Sequence, residues 1–338
     1  MQYNNYSMNL QNRIDLLIQL SKYLRENDSE WQAVKAKAST HNGWFIPEFI
    51  DLAVSNICDA FLQRERLEKW AAHYHLDDNV GGKNIGIVMA GNIPLVGFHD
   101  FLSVFISGHR QTIKLSSKDD ILLKHLVQKL SEWEILTGHY ISFSEMLKGC
   151  DAYIATGSNN SARYFEQYFS RYPNIIRNNR TSVAILAGKE RPDQLELLSD
   201  DIHLYFGLGC RNVTKIAVPA GYDFIPLLKA FDRYKYFIDH NKYTNNYDYQ
   251  LSIALMNNVY YMTNGTTLLI ENNDIFSAIS RLNYSFYDNA ETMVKDLNDN
   301  PDVQCIVGYG GIEFGQAQSP GLLDYADGLD TMQFLLSL

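Results

Sequence analysis

The sequence predicts an α/β protein: a parallel sheet covered on both faces by helices, followed by a second α/β domain. Two observations carry this reading. Between Asn84 and Tyr172 the chain repeats a short β-branched run, a small or polar turn and a helical segment three times over, and beyond Tyr205 the pattern changes to scattered short strands. The first unit is NIGIVMA, the break GN and a helix PLVGFHDFLSVFISG opened by Pro94; QTIKL with SSKDDILLKHLVQKLSEW follows, then CDAYIAT with GSNNSARYFEQYFSRY. Successive strand-turn-helix units make parallel neighbours, and ligands of such sheets bind where the strands end and the turns begin. Ahead of them, residues 9–37 and 45–75 place apolar side chains three and four apart and read as helices. After Tyr205 come a glycine-rich FGLGC, a strand TKIAVP, helical segments to Tyr236, a Tyr- and Asn-rich stretch, and short strands near NNVYYMT, TTLLIE and RLNYSFY. The expected division is 1–200 for the helices and first sheet, 201–310 for the second domain, and 311–338 for a C-terminal return. The apolar ending TMQFLLSL suggests docking on another subunit, hence a homo-oligomer.

Composition narrows the function classes. With 338 residues, 46% apolar and 20% charged, the chain is long enough for two packed domains and too apolar for disorder. A formal charge of -10 repels phosphate backbones and anionic membrane surfaces, so nucleic acid is not an expected partner, and an anionic ligand would need a local cradle of N–H donors and cations. The cysteines, at 58, 150, 210 and 305, are too few and scattered for a disulfide framework and include no C-x-x-C pair. A reducing, cytoplasmic setting and no metal are expected. Residues 1–20 lack the basic start, apolar block and cleavage site of a signal peptide and read as an amphipathic helix. No run of 18 apolar residues exists to span a membrane, since Ile93–Ser107 is interrupted by His99 and Asp100.

Cys210 is the best nucleophile candidate. In G-L-G-C-R-N, Gly207 and Gly209 remove bulk beside the sulfur, and Arg211 adds a cation that would favour the thiolate. A buried packing thiol is the plain alternative. Asn92, in A-G-N-I-P after the first strand, offers an amide to an oxyanion, or simply serves the turn through its tolerance of left-handed backbone. Lys114 ends the second strand and Ser116, Ser117 and Lys118 occupy the next turn; the cluster suits a ribose or phosphate, and equally a solvated turn. Gly157 and Ser158 open the third helix, where free N–H groups attract anions, although Ser158 also fits as an ordinary N-cap.

Taken in order, AGNIPLVGFHDFLS, IKLSSKD, ATGSNNSARYF, FGLGCRNVTKIAVP and FGQAQSP resemble the acyl-CoA reductase (LuxC) family, a branch of the aldehyde dehydrogenase superfamily; the first and fourth motifs are the most specific, and the resemblance spans roughly residues 40–338. It implies an aldehyde-dehydrogenase-like fold, with a parallel-sheet cofactor domain and a catalytic domain carrying the nucleophile. Cys210 falls on the catalytic thiol and Asn92 on the residue that forms the oxyanion hole with the cysteine's own N–H. Lys114 falls on the lysine that contacts the adenosine ribose, with Ser116 beside it. Ser117 stands where NAD-preferring relatives often carry a Glu, and its lack of charge favours NADPH over NADH. Gly157 and Ser158 fall on the pyrophosphate turn, and Asp274 and Phe276 in D-I-F-S-A correspond to a nicotinamide-ribose Glu and its Phe. The implied activity is reduction of an acyl-CoA, fatty acyl by family, to the aldehyde through an acyl-enzyme, with an acyl-protein synthetase as partner. A CoA-acylating aldehyde dehydrogenase and a non-reducing acyl carrier remain as alternatives. Hydrolytic relatives carry a Glu base in a segment that here reads SVAILAGK, without an acid between Ser182 and Lys189; Glu190 is the nearest candidate for a displaced one. A missing base favours thioester chemistry over release of free acid.

Overall fold

The computed structural model describes residues 7–78 and 82–338. They form two compact units, one running to Asn178 and completed by Gly321–Leu338, the other Asn179–Pro320.

The first unit opens with α1 (Leu10–Glu26), α2 (Ser29–His41), α3 (Pro47–Asn56) and α4 (Arg64–His73), a wider π turn joining the last two. The run expected as one helix over 9–37 breaks at Asn27, which takes a left-handed φ of 48°, and Asp28 restarts it by accepting the Trp31 N–H at 2.8 Å. The strand-turn-helix units follow as β1 (Asn84–Val88), α5 (Phe98–Ser107), β2 (Arg110–Lys114), α6 (Leu122–Trp133), α7 (Thr137–Tyr140), β3 (Ile141–Phe143), β4 (Ala152–Thr156), α8 (Asn159–Phe169) and β5 (Asn174–Arg177). The strands lie in the order β3-β2-β1-β4-β5, all parallel. The chain winds outward from β1 to β3 and then returns to build β4 and β5 on the other side. The strand order therefore reverses between β1 and β4, and at such a switch point the loops leaving the two strands diverge and open a crevice.

In the second unit β6 (Thr181–Ile185), α9 (Pro192–His203), β7 (Val213–Pro219), α10 (Ile225–Ala230), α11 (Asn241–Met256), β8 (Tyr261–Thr263), β9 (Leu268–Glu271), β10 (Arg281–Tyr287), α12 (Ala290–Asn298) and β11 (Val303–Gly308) form a sheet ordered β11-β6-β7-β10-β9-β8. Only the β8–β9 pair is antiparallel. β6 pairs on both sides, with β11 and β7, and is buried at every position. That pairing puts the boundary at Asn178/Asn179 and not near residue 200, and residues 311–320 stay with the second unit.

The C-terminal return completes the first unit with α13 (Thr331–Leu336), which packs on α5. Met332 and Leu335 are buried there, Trp70 donates to the Tyr325 hydroxyl at 3.0 Å, and the Arg177–Asp100 ion pair extends to Thr331 at 2.8 Å. Met332 and Leu335 of the ending are thus covered by their own chain, while Leu336 is 40% exposed.

Among the described residues no helix is long and apolar enough to cross a membrane. No group of three His, Cys, Asp or Glu side chains among them is placed to hold a metal ion.

Candidate active site

The four cysteines separate by environment. Cys58 and Cys150 are buried, and burial pushes both thiols up; Cys210 and Cys305 are half-buried. Cys210 sits in the turn between α9 and β7, at the edge of the second sheet where β6, β7 and β11 begin. Its approach is unusual: Tyr205, Phe206 and Gly207 all take left-handed backbone, with φ of 55°, 57° and 73°. Phe206 and Tyr205 are buried, so the turn is pinned by side chains that cannot leave the core. Three consecutive left-handed residues are costly, and such strain persists only where the surroundings over-determine it.

Asn212 supplies that constraint. Its amide is fully buried; Oδ1 accepts the Gly209 N–H at 2.7 Å, and Nδ2 donates to the carbonyls of Asp201 (3.0 Å) and Leu204 (2.9 Å), which the end of α9 leaves without helical partners. Ser182 on β6 donates to the Cys210 carbonyl at 3.2 Å and lies 3.0 Å from the Cys305 thiol. A hydroxyl has one hydrogen, so Cys305 is the donor in that second contact. The Asp201 carboxylate accepts the N–H groups of Gly315 (2.6 Å) and Ala317 (3.0 Å), tying the FGQAQSP loop to the helix that leads into Cys210. Burial raises this carboxyl to about 6 despite both bonds.

The segment holding Asp274 and Phe276 joins the same edge. Its carbonyls are taken one after another by side chains of the two strands: Lys215 Nζ binds Asn273 O at 2.7 Å, Thr214 binds Ile275 O at 2.5 Å, and Asn283 binds Asp274 O (2.9 Å) and Phe276 O (3.0 Å). Cys210 precedes β7 by three residues, and Thr214 and Lys215 open that strand, so the Cys210 turn and the D-I-F segment meet the same end of β7. Asp274 itself is exposed and Phe276 half-buried. Glu190 is elsewhere. Its carboxylate folds back onto the N–H groups of Ala187 and Gly188, beyond the far end of β6, where it lines a cavity of about 600 Å³ with Lys189, Arg191 and Glu313. From Pro173 to Lys189 the chain contains no Asp or Glu.

In the first unit the three turns expected to bind ligand all lie where the strands end. Asn92 is half-buried in the turn after β1. That turn meets the one after β2: a Cβ on Gly91 would lie 2.7 Å from both Cβ and Oγ of Ser116, so only glycine allows the contact. Ser116 Oγ accepts the Lys118 N–H at 3.2 Å; Ser117 offers its carbonyl to His41 at 2.8 Å while its side chain, like Lys114, is exposed. Across the switch point, Ser158 caps α8 by accepting the Ser161 N–H at 3.3 Å, and a Cβ on Gly157 would strike Ser161 and Phe165. The helix expected to open at Pro94 begins at Phe98 instead. Leu95 takes φ 55° and gives its N–H to Asp119 Oδ2 at 2.7 Å, which holds residues 94–97 in a turn.

This donor set, an exposed lysine beside a serine turn and the N-terminus of an 11-residue helix at a topological switch point, fits a phosphate-bearing dinucleotide. Sequence reasoning missed Asn212, Ser182, Asp201 and Asp119. Only Asn212 carried a signal, being the polar residue two positions after a cysteine that follows two glycines.

No family model matches the sequence, and no curated protein matches it either. Solved structures do match. Apo betaine aldehyde dehydrogenase from Staphylococcus aureus superposes with a TM-score of 0.65 at 10% identity, covering 90% of this chain and 72% of that one. The fold is that of the aldehyde dehydrogenases. An aldehyde dehydrogenase from Bacillus cereus, solved as its NAD+ complex, gives 0.64 at 12% identity over 89% and 72% of the two chains. A mutant of the P. syringae indole-3-acetaldehyde dehydrogenase, in complex with NAD+ and IAA, gives 0.63 at 11% over 87% and 70%. The aldehyde dehydrogenase fold pairs a nucleotide-type parallel sheet with a second α/β unit, which is the arrangement predicted from the strand-turn-helix repeats.

Proposed function

We propose that this protein reduces an acyl-CoA thioester to the aldehyde through an acyl group carried on Cys210, with NADPH as the preferred reductant. The observation that carries the reading is the Cys210 loop: a half-buried thiol preceded by Gly207 and Gly209, on a turn that Asn212 and Ser182 hold just after the left-handed run Tyr205–Gly207. A packing cysteine gains nothing from such an arrangement, whereas a nucleophile needs its carbonyl partner to approach both sulfur and backbone. The solved aldehyde dehydrogenases with bound NAD+ support a nicotinamide nucleotide as the redox partner.

In this reading the Cys210 thiolate attacks the thioester carbonyl. The oxygen takes the electron pair, for which the resemblance assigns the Asn92 amide and the Cys210 N–H as donors, and CoA departs as its thiolate, leaving an acyl group on sulfur. The nucleotide, when bound, supplies the hydride for reduction. Lys114, Ser116 and Ser117 would hold its adenosine end, Gly157 and Ser158 its pyrophosphate, and Asp274 and Phe276 its nicotinamide ribose; uncharged Ser117 tolerates a 2′-phosphate. After reduction the oxyanion occupies the same donors, and its collapse releases aldehyde and restores the thiolate. The lack of a carboxylate from Pro173 to Lys189, with Glu190 turned to backbone N–H groups beyond the other end of β6, supports a site that does not activate water against the acyl-enzyme.

The test is a panel of acyl-CoAs of increasing tail length, assayed with NADPH and with NADH by loss of reduced-nicotinamide absorbance, beside labelling with radioactive acyl-CoA. Catalytic oxidation of NADPH and a hydroxylamine-labile label that disappears in Cys210→Ala support the proposal. A label that survives in Cys210→Ala refutes the nucleophile; acylation without nucleotide oxidation makes the protein a carrier, and a faster reverse reaction makes it a CoA-acylating dehydrogenase.

A further inference from the structure

Asp119 is an acid in an expensive place. Its side chain is 7% exposed, it has no cationic partner within ion-pair distance among the described residues, and one oxygen, Oδ1, is buried without a hydrogen-bond partner among them. The neighbouring charges are directed elsewhere: Asp120 is paired with Lys124 at 2.8 Å and faces His41 at 3.7 Å. A buried carboxylate with a single partner is costly, so that partner is informative. It is the N–H of Leu95, at 2.7 Å.

Leu95 and Gly91 bracket Asn92, and both are anchored to residues 116–119. Leu95 holds a left-handed φ of 55° with its side chain buried in the core and its N–H on Asp119. At the other end, a Cβ on Gly91 would reach Ser116 at 2.7 Å and the Asp119 N at 3.2 Å. The Asp119 N–H closes its own turn on Ser116 O at 3.0 Å. Three residues separate the anchored ends, too few for the Asn92 backbone to shift independently. We infer that Asp119 is a positioning residue whose carboxylate, through the Leu95 N–H, fixes the turn that presents the Asn92 amide to the developing oxyanion. The inference rests on the reading of Asn92 given above; Asp119 itself touches neither substrate nor cofactor.

The geometry separates positioning from general structural support. Asn at 119 can still accept the Leu95 N–H through its side-chain oxygen, whereas Ala cannot. Asp119→Ala should therefore lower kcat by about 10- to 100-fold, up to the range seen on losing an oxyanion donor. KM for the acyl-CoA should change little, and Asp119→Asn should restore kcat to within a few-fold of wild type. Because both act through one amide, Asp119→Ala should add little in an Asn92→Ala background. Asp119→Ala at wild-type kcat, equal losses in the Ala and Asn variants, or a full additive loss on top of Asn92→Ala would each overturn the inference. Should Asp119→Ala fail to fold, Gly91→Ala strains the same turn from its other end; it must show a kcat-selective loss that is absent in the Asn92→Ala background, and wild-type kcat there overturns the inference equally. If Asn92→Ala itself turns over as fast as wild type, the oxyanion assignment has failed rather than the role of Asp119.

Discussion

Asn212→Ala removes the clamp on the Cys210 loop, and the structure sets the scale of the loss. The substitution strands two buried polar groups and a part-buried one: the Gly209 N–H, which had its acceptor at 2.7 Å, and the carbonyls of Asp201 and, part-buried, Leu204, which had their donor at 3.0 and 2.9 Å. Each unsatisfied buried group costs about 1–3 kcal/mol, and relaxation of the turn toward solvent keeps the sum near the low end, about 3–5 kcal/mol. Against a typical total stability of about 5–15 kcal/mol, the loss is large. Asn212→Asp is the sharper version. It keeps the acceptor for Gly209 and the volume, but replaces a two-proton donor by an oxygen facing two carbonyl oxygens, so the new acid must stay protonated to be tolerated. Its destabilisation should therefore grow as pH rises, whereas that of Asn212→Ala should be nearly flat. Urea denaturation at several pH values measures both, and alkylation of Cys210 followed by peptide mass spectrometry reads the loop directly. The left-handed run at Tyr205–Gly207 should relax in either variant and change the alkylation rate of Cys210 while leaving Cys58 unreactive. A loss below about 1 kcal/mol in Asn212→Ala, with Cys210 reactivity unchanged, would show that Asn212 is not what holds the strained turn.

Burial raises the Asp119 carboxyl from 3.8 to about 7. The native state then binds more protons than the unfolded state between those values, so stability falls as pH rises through that window, by at most about 4 kcal/mol when complete. Asp119→Asn should flatten this dependence and be the more stable protein at pH 8; an unchanged slope in urea titrations between pH 5 and 8 would contradict the burial of a lone acid there. Gly207→Ala meets no close atom, the nearest being Ile202 O at 3.4 Å, so its cost comes from backbone alone at φ 73° and should be about 1–2 kcal/mol by denaturation. A neutral result would mean that the turn has another accessible conformation.

What could be read from sequence and what could not divide along a physical line. β1, β2, β4, β7 and β10 were legible because each is an apolar or β-branched run bounded by turn residues. β3 and β5, at 3 and 4 residues, are too short to show a period, and β6 is buried on both faces, so its SVAIL run has no alternation to betray it. The Tyr- and Asn-rich stretch folds as α11 because Tyr243, Tyr247 and Ala254 lie on one buried face; packing there overrides weak helix propensity. The same division runs through the candidate site. Cys210, Asn92 and the Gly157–Ser158 turn stand out as candidates by local chemistry: glycines ahead of a cysteine, an amide at a strand end, a serine before a helix. Asp119 and Asn212 do not, since SSKDD reads as an exposed turn and N-V-T as the start of a strand, and their partners are backbone groups 24 residues away in one case and up to 11 in the other. A side chain that acts by satisfying distant N–H and C=O groups leaves no periodicity and no motif, because its identity is set by the shape of a hole and not by its neighbours in sequence. Candidate groups are therefore found by pattern, and the side chains that brace their loops only by asking where each buried hydrogen bond goes.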